Sequence, residues 1–396
     1  MLAFFELSLI AVTWRIWIFG GEVPRIPLFA AALPASLSLA ASAVLAIGCI
    51  SILLDVISRR ACRALVEVLT WMAGFLCALA NQQCLQAWHW LFLLSLGLWL
   101  LTNQAVWPNL MRQVFCTIYV CSALSRLTLT PGTGMTAVIA RQLLQWVGVS
   151  EFRQADLLPG LCHGLSLGEF AIGILLLFDR SRLPGIVAAE CLHLTLLLVL
   201  GPAGLNHHAG VLIWNMCLIA MIPLVFPRSN EADRVPRNDA STITQAVHPG
   251  FKDSIATTMI WLWPLSGLFG FADNWPSWQL YSNRPEIWTL YVQYSEAKLL
   301  PESVRGYLGE AGTLEDFLPV RLDRWVLHET GCPMYPEDRF QLAIIEWCVR
   351  DFPMDAEFEV RVSEPQMRWW QRRQRVLRGR AELDLERTRM VLNSAV

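Results

Sequence analysis

Four ionisable side chains stand in stretches that are otherwise apolar: Arg126, Glu169, Glu190 and His193. A charge at the centre of a bilayer costs on the order of 2.5–3.5 kcal/mol or more, so such residues face a protein interior or a water-filled site. Glu190 and His193 are three residues apart and share one face of a helix. A carboxylate and an imidazole so placed could hold and pass a proton, which makes His193, Glu190 and Glu169 the candidate catalytic residues. Glu-x-x-His also occurs in carboxylate-bridged metal sites, but those need a second such motif and further carboxylates. Only Glu169, His163, His207 and His208 are at hand for that, so no metal site is expected. The plain alternative is a buried hydrogen-bonded pair joining helices, worth roughly 0.6–2 kcal/mol.

Arg126 sits near the end of an apolar run, in YVCSALSRLTLTPGTG. A guanidinium stays protonated in proteins, so it needs a partner, and Glu169 or Glu190 is the natural one. Alone, such a pair is structural; beside a cavity it is a fixed positive site for an anion or a quinone oxygen. Both readings stay open. Asn215, inside VLIWN, is deep enough to face inward. Arg126, Glu169, Glu190, His193 and Asn215 thus form the expected ligand-binding set, at similar depth in four apolar segments. Asn206-His207-His208, Asn81-Gln82-Gln83 and Gln86 are expected at an outer face, where interfacial solvent satisfies them. No Walker loop, GxSxG, HExxH, CxxC or zinc spacing is present.

The elements that must position these residues are long apolar runs. A hydrocarbon core of about 30 Å needs about 20 helical residues. Runs of suitable length lie near 2–19, 29–54, 65–80, 87–102, 112–130, 160–178, 183–200, 209–226 and 255–272. The fourth is short and Arg15 interrupts the first, so eight or nine spans are expected. Of the 396 residues 55% are hydrophobic and only 16% charged, with 18 Trp and a net charge of −2, which offers no basic footprint for nucleic acid. Arginines 59, 60, 63, 112, 180, 182, 228, 234 and 237, with Lys252, fall in alternate loops, against Arg25, Arg141 and Arg153 in the others. By the positive-inside rule the N-terminus is cytoplasmic. With nine spans the C-terminal region lies outside, across an inner or plasma membrane of bacterial type. With eight it would fall inside.

The expected organisation is a transmembrane bundle over 1–227, a polar linker over 228–254, a last span over 255–272 and a soluble region over 273–396. In that region Ile287–Tyr294 and Glu357–Val362 read as strands and Pro336–Phe352 as a helix. Asp273–Tyr281 suits an aromatic belt at headgroup level, and the Arg-rich run Arg368–Arg380 suits a solvated or headgroup-facing surface. The fold class is therefore an all-α polytopic membrane helix bundle with a small C-terminal α+β soluble domain. The cysteines read as packing residues, although Cys84, Cys332 or Cys348 could pair in an oxidising compartment.

Four stretches resemble the HTTM-type membrane domain shared with vitamin K-dependent γ-carboxylases, and more distantly the DoxX/MauE redox-associated membrane proteins. They are Ala11–Gly20 (AVTWRIWIFG), Tyr119–Gly148, Leu167–Arg182 (LGEFAIGILLLFDRSR) and Glu190–Phe226. The resemblance implies a cytoplasmic N-terminus and an outward-facing site, with His193 at the family's membrane histidine. Arg126 stands where the carboxylases carry a reactive lysine. A lysine can be desolvated into a neutral base and an arginine cannot, and the only lysines are Lys252 and Lys298, so glutamate carboxylation is not expected. Two functions remain. One is a lipid-embedded site for a quinone-like or other hydrophobic ligand in redox-linked chemistry. The other is a non-catalytic scaffold whose region 273–396 binds a partner protein.

Overall fold

A computed structural model describes residues 1–18, 21–29, 33–58, 64–127, 134–227, 250–282, 284–310, 316–366 and 371–393. The arginines at 59–63 and 228–237, and nearly all of the 228–254 linker, lie outside the described residues. The chain is mostly helical, with a small antiparallel sheet. Its helices are α1 (Leu2–Val12), α2 (Trp14–Trp17), α3 (Ala35–Ser58), α4 (Ala64–Ala80), α5 (Ala87–Leu101), α6 (Trp107–Arg126), α7 (Gly134–Trp146), α8 (Glu151–Leu177), α9 (Arg182–Leu200), α10 (Ala209–Val225) and α11 (Phe251–Gly267). Beyond them come β1 (Ile287–Gln293), α12 (Glu302–Arg305), β2 (Phe317–Val320), α13 (Leu322–Thr330), α14 (Asp338–Cys348), β3 (Phe358–Gln366), β4 (Gln371–Arg378) and α15 (Gly379–Arg387).

Each apolar run is occupied by a helix. Among the described residues three segments, Ala35–Leu54, Arg153–Leu177 and Asp179–Leu200, are long and apolar enough to cross a membrane, while α1, α4, α5 and α10 are apolar but shorter. The first run differs from expectation, because the helix breaks at Thr13. Its hydroxyl donates to the Leu9 carbonyl at 2.7 Å and accepts from Trp17 Nε1 at 3.0 Å, a local alternative to the helical ladder. Helix α7 stands where the sequence predicts only a loop. Ala137, Ala140 and Leu144 recur at three and four residues and supply it with a buried face.

The chain forms two compact units: residues 1–5, 91–207 and 211–283, and residues 6–90, 208–210 and 284–396. Packing thus groups the charged C-terminal stretch with the apolar residues 6–90, a grouping that composition does not indicate.

In the first unit, glycines set the helix spacing. A Cβ on Gly173 of α8 would come within 2.8 Å of Val120 Cγ2 and 3.1 Å of Tyr119 Cβ, so α6 and α8 meet there with backbone nearly touching side chain. Gly185 does the same for α9, its missing Cβ lying 3.1 Å from the Leu176 nitrogen on α8. Helix α11 is tied to α6 by a bond from Trp261 Nε1 to Gln113 Oε1 at 2.9 Å. The segment after α11 differs from a headgroup belt: Trp278 is 1% exposed and holds a positive φ of 59°, packed inside protein rather than presented to lipid.

In the second unit the strand order is β2-β1-β3-β4, antiparallel throughout. Trp288, Leu290 and Val292 alternate inward on β1, and Phe358, Val360 and Val362 on β3. Helix α14 packs against β1, with its Phe340, Ile344 and Cys348 buried, while Trp325 stacks on Trp347 at 5.4 Å. The Arg-rich run is largely an edge strand. Arg373 and Arg378 of β4 stand opposite Glu364 and Glu359 of β3, and Arg375 Nη1 reaches Glu386 at 2.7 Å. Cross-strand charge pairing of this kind explains how such a run joins a sheet.

The same unit buries a row of amides. Gln82, Gln83 and Gln86, between α4 and α5, are at most 1% exposed, contrary to interfacial solvation. Gln82 Nε2 donates to the carbonyls of Pro27 (3.0 Å) and Asn393 (2.9 Å), and its Oε1 accepts from Arg339 Nε at 2.9 Å. Gln83 Nε2 donates to the Pro333 carbonyl at 2.8 Å and its Oε1 accepts from the Tyr335 amide at 2.9 Å. Folding replaces water for these groups with fixed partners, mostly backbone, as buried amides require. The described cysteines are free thiols. Burial pushes Cys332 up to about 11 and Cys84 well above its ordinary value, as expected of packing residues.

Candidate functional site

Asn215 on α10 fixes the chemistry of the site in the first unit. Its Nδ2 donates to the Val211 carbonyl one turn earlier, at 2.8 Å, which leaves Oδ1 as the acceptor facing α9. There His193 Nδ1 lies 2.9 Å away and must carry the hydrogen. In the neutral ring, which burial without a carboxylate partner favours, His193 Nε2 is then the bare nitrogen, and the Tyr119 hydroxyl of α6 donates to it at 2.7 Å. The result is a neutral chain, Tyr119 O–H to His193 to Asn215, linking three helices. All three side chains are buried. Asn215 cannot take up a proton, so the proton-accepting atom of the chain is His193 Nε2.

Arg126 lies seven residues after Tyr119, two helical turns or about 10.5 Å further along the same face of α6. Glu169 lies four residues before Gly173 on α8, so the close approach at Gly173 also brings Glu169 opposite Arg126. Arg126 Nη2 and Glu169 Oε2 form an ion pair, with each side chain little exposed. Arg126 Nη2 also donates to Ser122 Oγ at 3.0 Å and Nε to the Ser122 carbonyl at 3.1 Å. Tyr281 stands nearby. Burial pushes its phenol up to about 12, while the Arg126 charge pulls the other way. Ser282 Oγ donates to the Ser125 carbonyl at 3.1 Å, holding that loop at the end of α6.

Of the five expected site residues, the structure joins His193 with Asn215 and Arg126 with Glu169. Glu190 is half-buried and has no hydrogen bond or ion pair with the described residues. The buried face of α9 runs through Gly185, Ile186, Ala189 and His193, which turns Glu190 off it. Among the described residues no group of three His, Cys, Asp or Glu side chains is arranged to hold a metal.

The sequence does not single out Tyr119 and Ser122, whose uncharged side chains carry no penalty that would flag them. It also leaves unmarked a buried pair in the second unit. Glu6 Oε1 and His89 Nδ1 are 2.6 Å apart and essentially unexposed, with His89 Nε2 at 3.1 Å from the Gly74 carbonyl and Trp17 edge-on to the ring. Glu6 in an apolar run offered the same signal that marks Glu169.

Comparison with known protein families, with characterised proteins and with solved structures finds no match to this chain.

Proposed function

We propose that this chain is a multipass membrane protein of eight or nine spans, with a cytoplasmic N-terminus and residues 273–396 outside. In its bundle, Tyr119, His193, Asn215, Arg126 and Glu169 serve a quinone-like or other hydrophobic ligand that carries oxygen, with Glu190 at the margin. The observation behind this reading is the buried chain from Tyr119 through His193 to Asn215. A histidine without charge, oriented at both nitrogens, is a proton acceptor poised at one atom, and helix packing alone does not require one. Arg126, neutralised by Glu169, supplies a positive pole that attracts a carbonyl or phenolate oxygen without leaving a net charge in lipid. The resemblance of Tyr119–Gly148 and Glu190–Phe226 to the HTTM-type domain points the same way. Arg126 in place of lysine argues against carboxylase chemistry.

Organic extraction of the protein purified from its native membrane, followed by quinone and lipid analysis, tests the reading. A quinone-like compound near one per chain is expected, reduced at least severalfold in Tyr119→Phe and His193→Gln proteins that still purify as folded species. No such compound, or equal retention by both variants, would sink the assignment.

A further inference from the structure

A cavity of about 340 Å³ in the second unit lies well away in sequence from the residues just described. It is lined by Arg15 and Ile18, by Gly21 and Arg25, by Asn81, and by Glu329 at the end of α13. Two guanidinium groups and one carboxylate leave the lining one positive charge in excess. Arg15 donates through Nη1 alone, to the Glu329 carbonyl at 3.0 Å and to its carboxylate at 3.4 Å. That ion pair is long for a charge-assisted bond, which runs about 2.7–2.9 Å. Nε and Nη2 of Arg15 make no hydrogen bond with the described residues, so part of the fork remains available. Arg25 is half-buried, and burial draws its affinity for a proton below the ordinary value. An anion in the cavity would offset that desolvation. Ile18 of the lining and Trp14, the neighbour of Arg15 in the chain, are large, exposed and apolar, an arrangement suited to the boundary between headgroups and acyl chains.

We propose that this cavity binds a phosphate-bearing anion between Arg15 and Arg25, with Glu329 as the internal competitor for Arg15. The phosphate belongs either to an anionic lipid headgroup or to a small soluble phosphomonoester. The chemistry is shared, since planar guanidinium groups recognise phosphate oxygens in pairs. Nothing in this assignment depends on the Tyr119–His193–Asn215 chain.

The test uses the full chain in detergent, with phosphatidylglycerol retention measured by native mass spectrometry and glycerol 3-phosphate binding by calorimetry. Binding of at least one probe should fall about tenfold or more in Arg15→Gln and in Arg25→Gln, the scale expected for a lost charge-assisted contact. It should be unchanged in Arg350→Gln, a surface arginine elsewhere. Glu329→Gln removes the competitor and should tighten binding severalfold, which keeps the test decisive if an arginine variant fails to fold. Lipid retention without glycerol 3-phosphate binding identifies a headgroup; binding of both identifies a site open to soluble phosphate. Neither probe binding, or binding indifferent to Arg25→Gln and Glu329→Gln, would overturn the proposal.

Discussion

Arg126 shows how one residue decides between packing and chemistry. Its charge is matched by Glu169 and its fork is held by Ser122. Arg126→Met strands a carboxylate, and breaking one half of a buried pair typically costs about 3–5 kcal/mol. Removing both halves, as Arg126→Met with Glu169→Leu, should be milder than the single change in thermal melts of purified protein. If the double variant is the less stable of the two, the pair is not the unit of stability described above. Apolar context was enough to mark Arg126, Glu169, His193 and Asn215 as residues that need partners. Which partner each takes was not legible. Glu169 and Glu190 are equal candidates on charge and depth, and the rotation of α9 that buries Ala189 and His193 is set by Gly185 packing on α8. Tyr119 was hidden for a related reason: a tyrosine in an apolar helix raises no alarm until its hydroxyl is seen to meet His193.

At the level of elements, the apolar runs translate directly into helices, because length and hydropathy are local properties. What they do not convey is where two helices may approach. Gly173 and Gly168 lie five residues apart on α8 and look alike in sequence, but a Cβ on Gly168 meets nothing within 4 Å, while one on Gly173 meets Val120 and Tyr119. Gly173→Ala should therefore destabilise the α6–α8 contact by about 1–3 kcal/mol, the usual cost of overpacking. It should also loosen the Tyr119–His193 bond. Gly168→Ala should be neutral or stabilising by up to about 1 kcal/mol, through helix propensity. A pair of melting curves compares them, and an equal response of both glycines would contradict the close approach. The strand β4 teaches the converse. An Arg-rich run reads as solvent-facing until Glu359 and Glu364 are placed opposite Arg378 and Arg373, information held on the neighbouring strand rather than in the run itself.

For the molecule as a whole, the expected orientation turns on the number of spans. With nine, a protease added to sealed, oriented vesicles should remove residues 285–396 only from the outer side, while accessibility of the 228–249 stretch is confined to the cytoplasmic side. Cleavage of the C-terminal region from the cytoplasmic side would leave eight spans as the count. Composition made residues 273–396 look like a separate region, and residues 284–396 of it join a packing unit that begins at Glu6. The reason is visible in Gln82 and Gln83, neutral amides whose sequence context says nothing of the distant carbonyls they meet.

Those amides also impose an order on assembly. Apart from the Gln82 bond to Pro27, the side chains of Gln82 and Gln83 are bonded to residues 249 to 311 positions further along the chain. At a synthesis rate of roughly 5–20 residues per second, they leave the ribosome about 10 to 60 seconds before their partners. During that interval the side chain of Gln82 has only the Pro27 carbonyl as a partner, and that of Gln83 has none of the bonds to Pro333 and Tyr335 that later replace water. Until then the side chain of Gln83 must stay hydrated, and the turn between α4 and α5 must wait unsealed. Residues 332–393 act, in effect, as a clasp on the turn between α4 and α5, so early termination of synthesis leaves the beginning of the protein unfinished as well as its end.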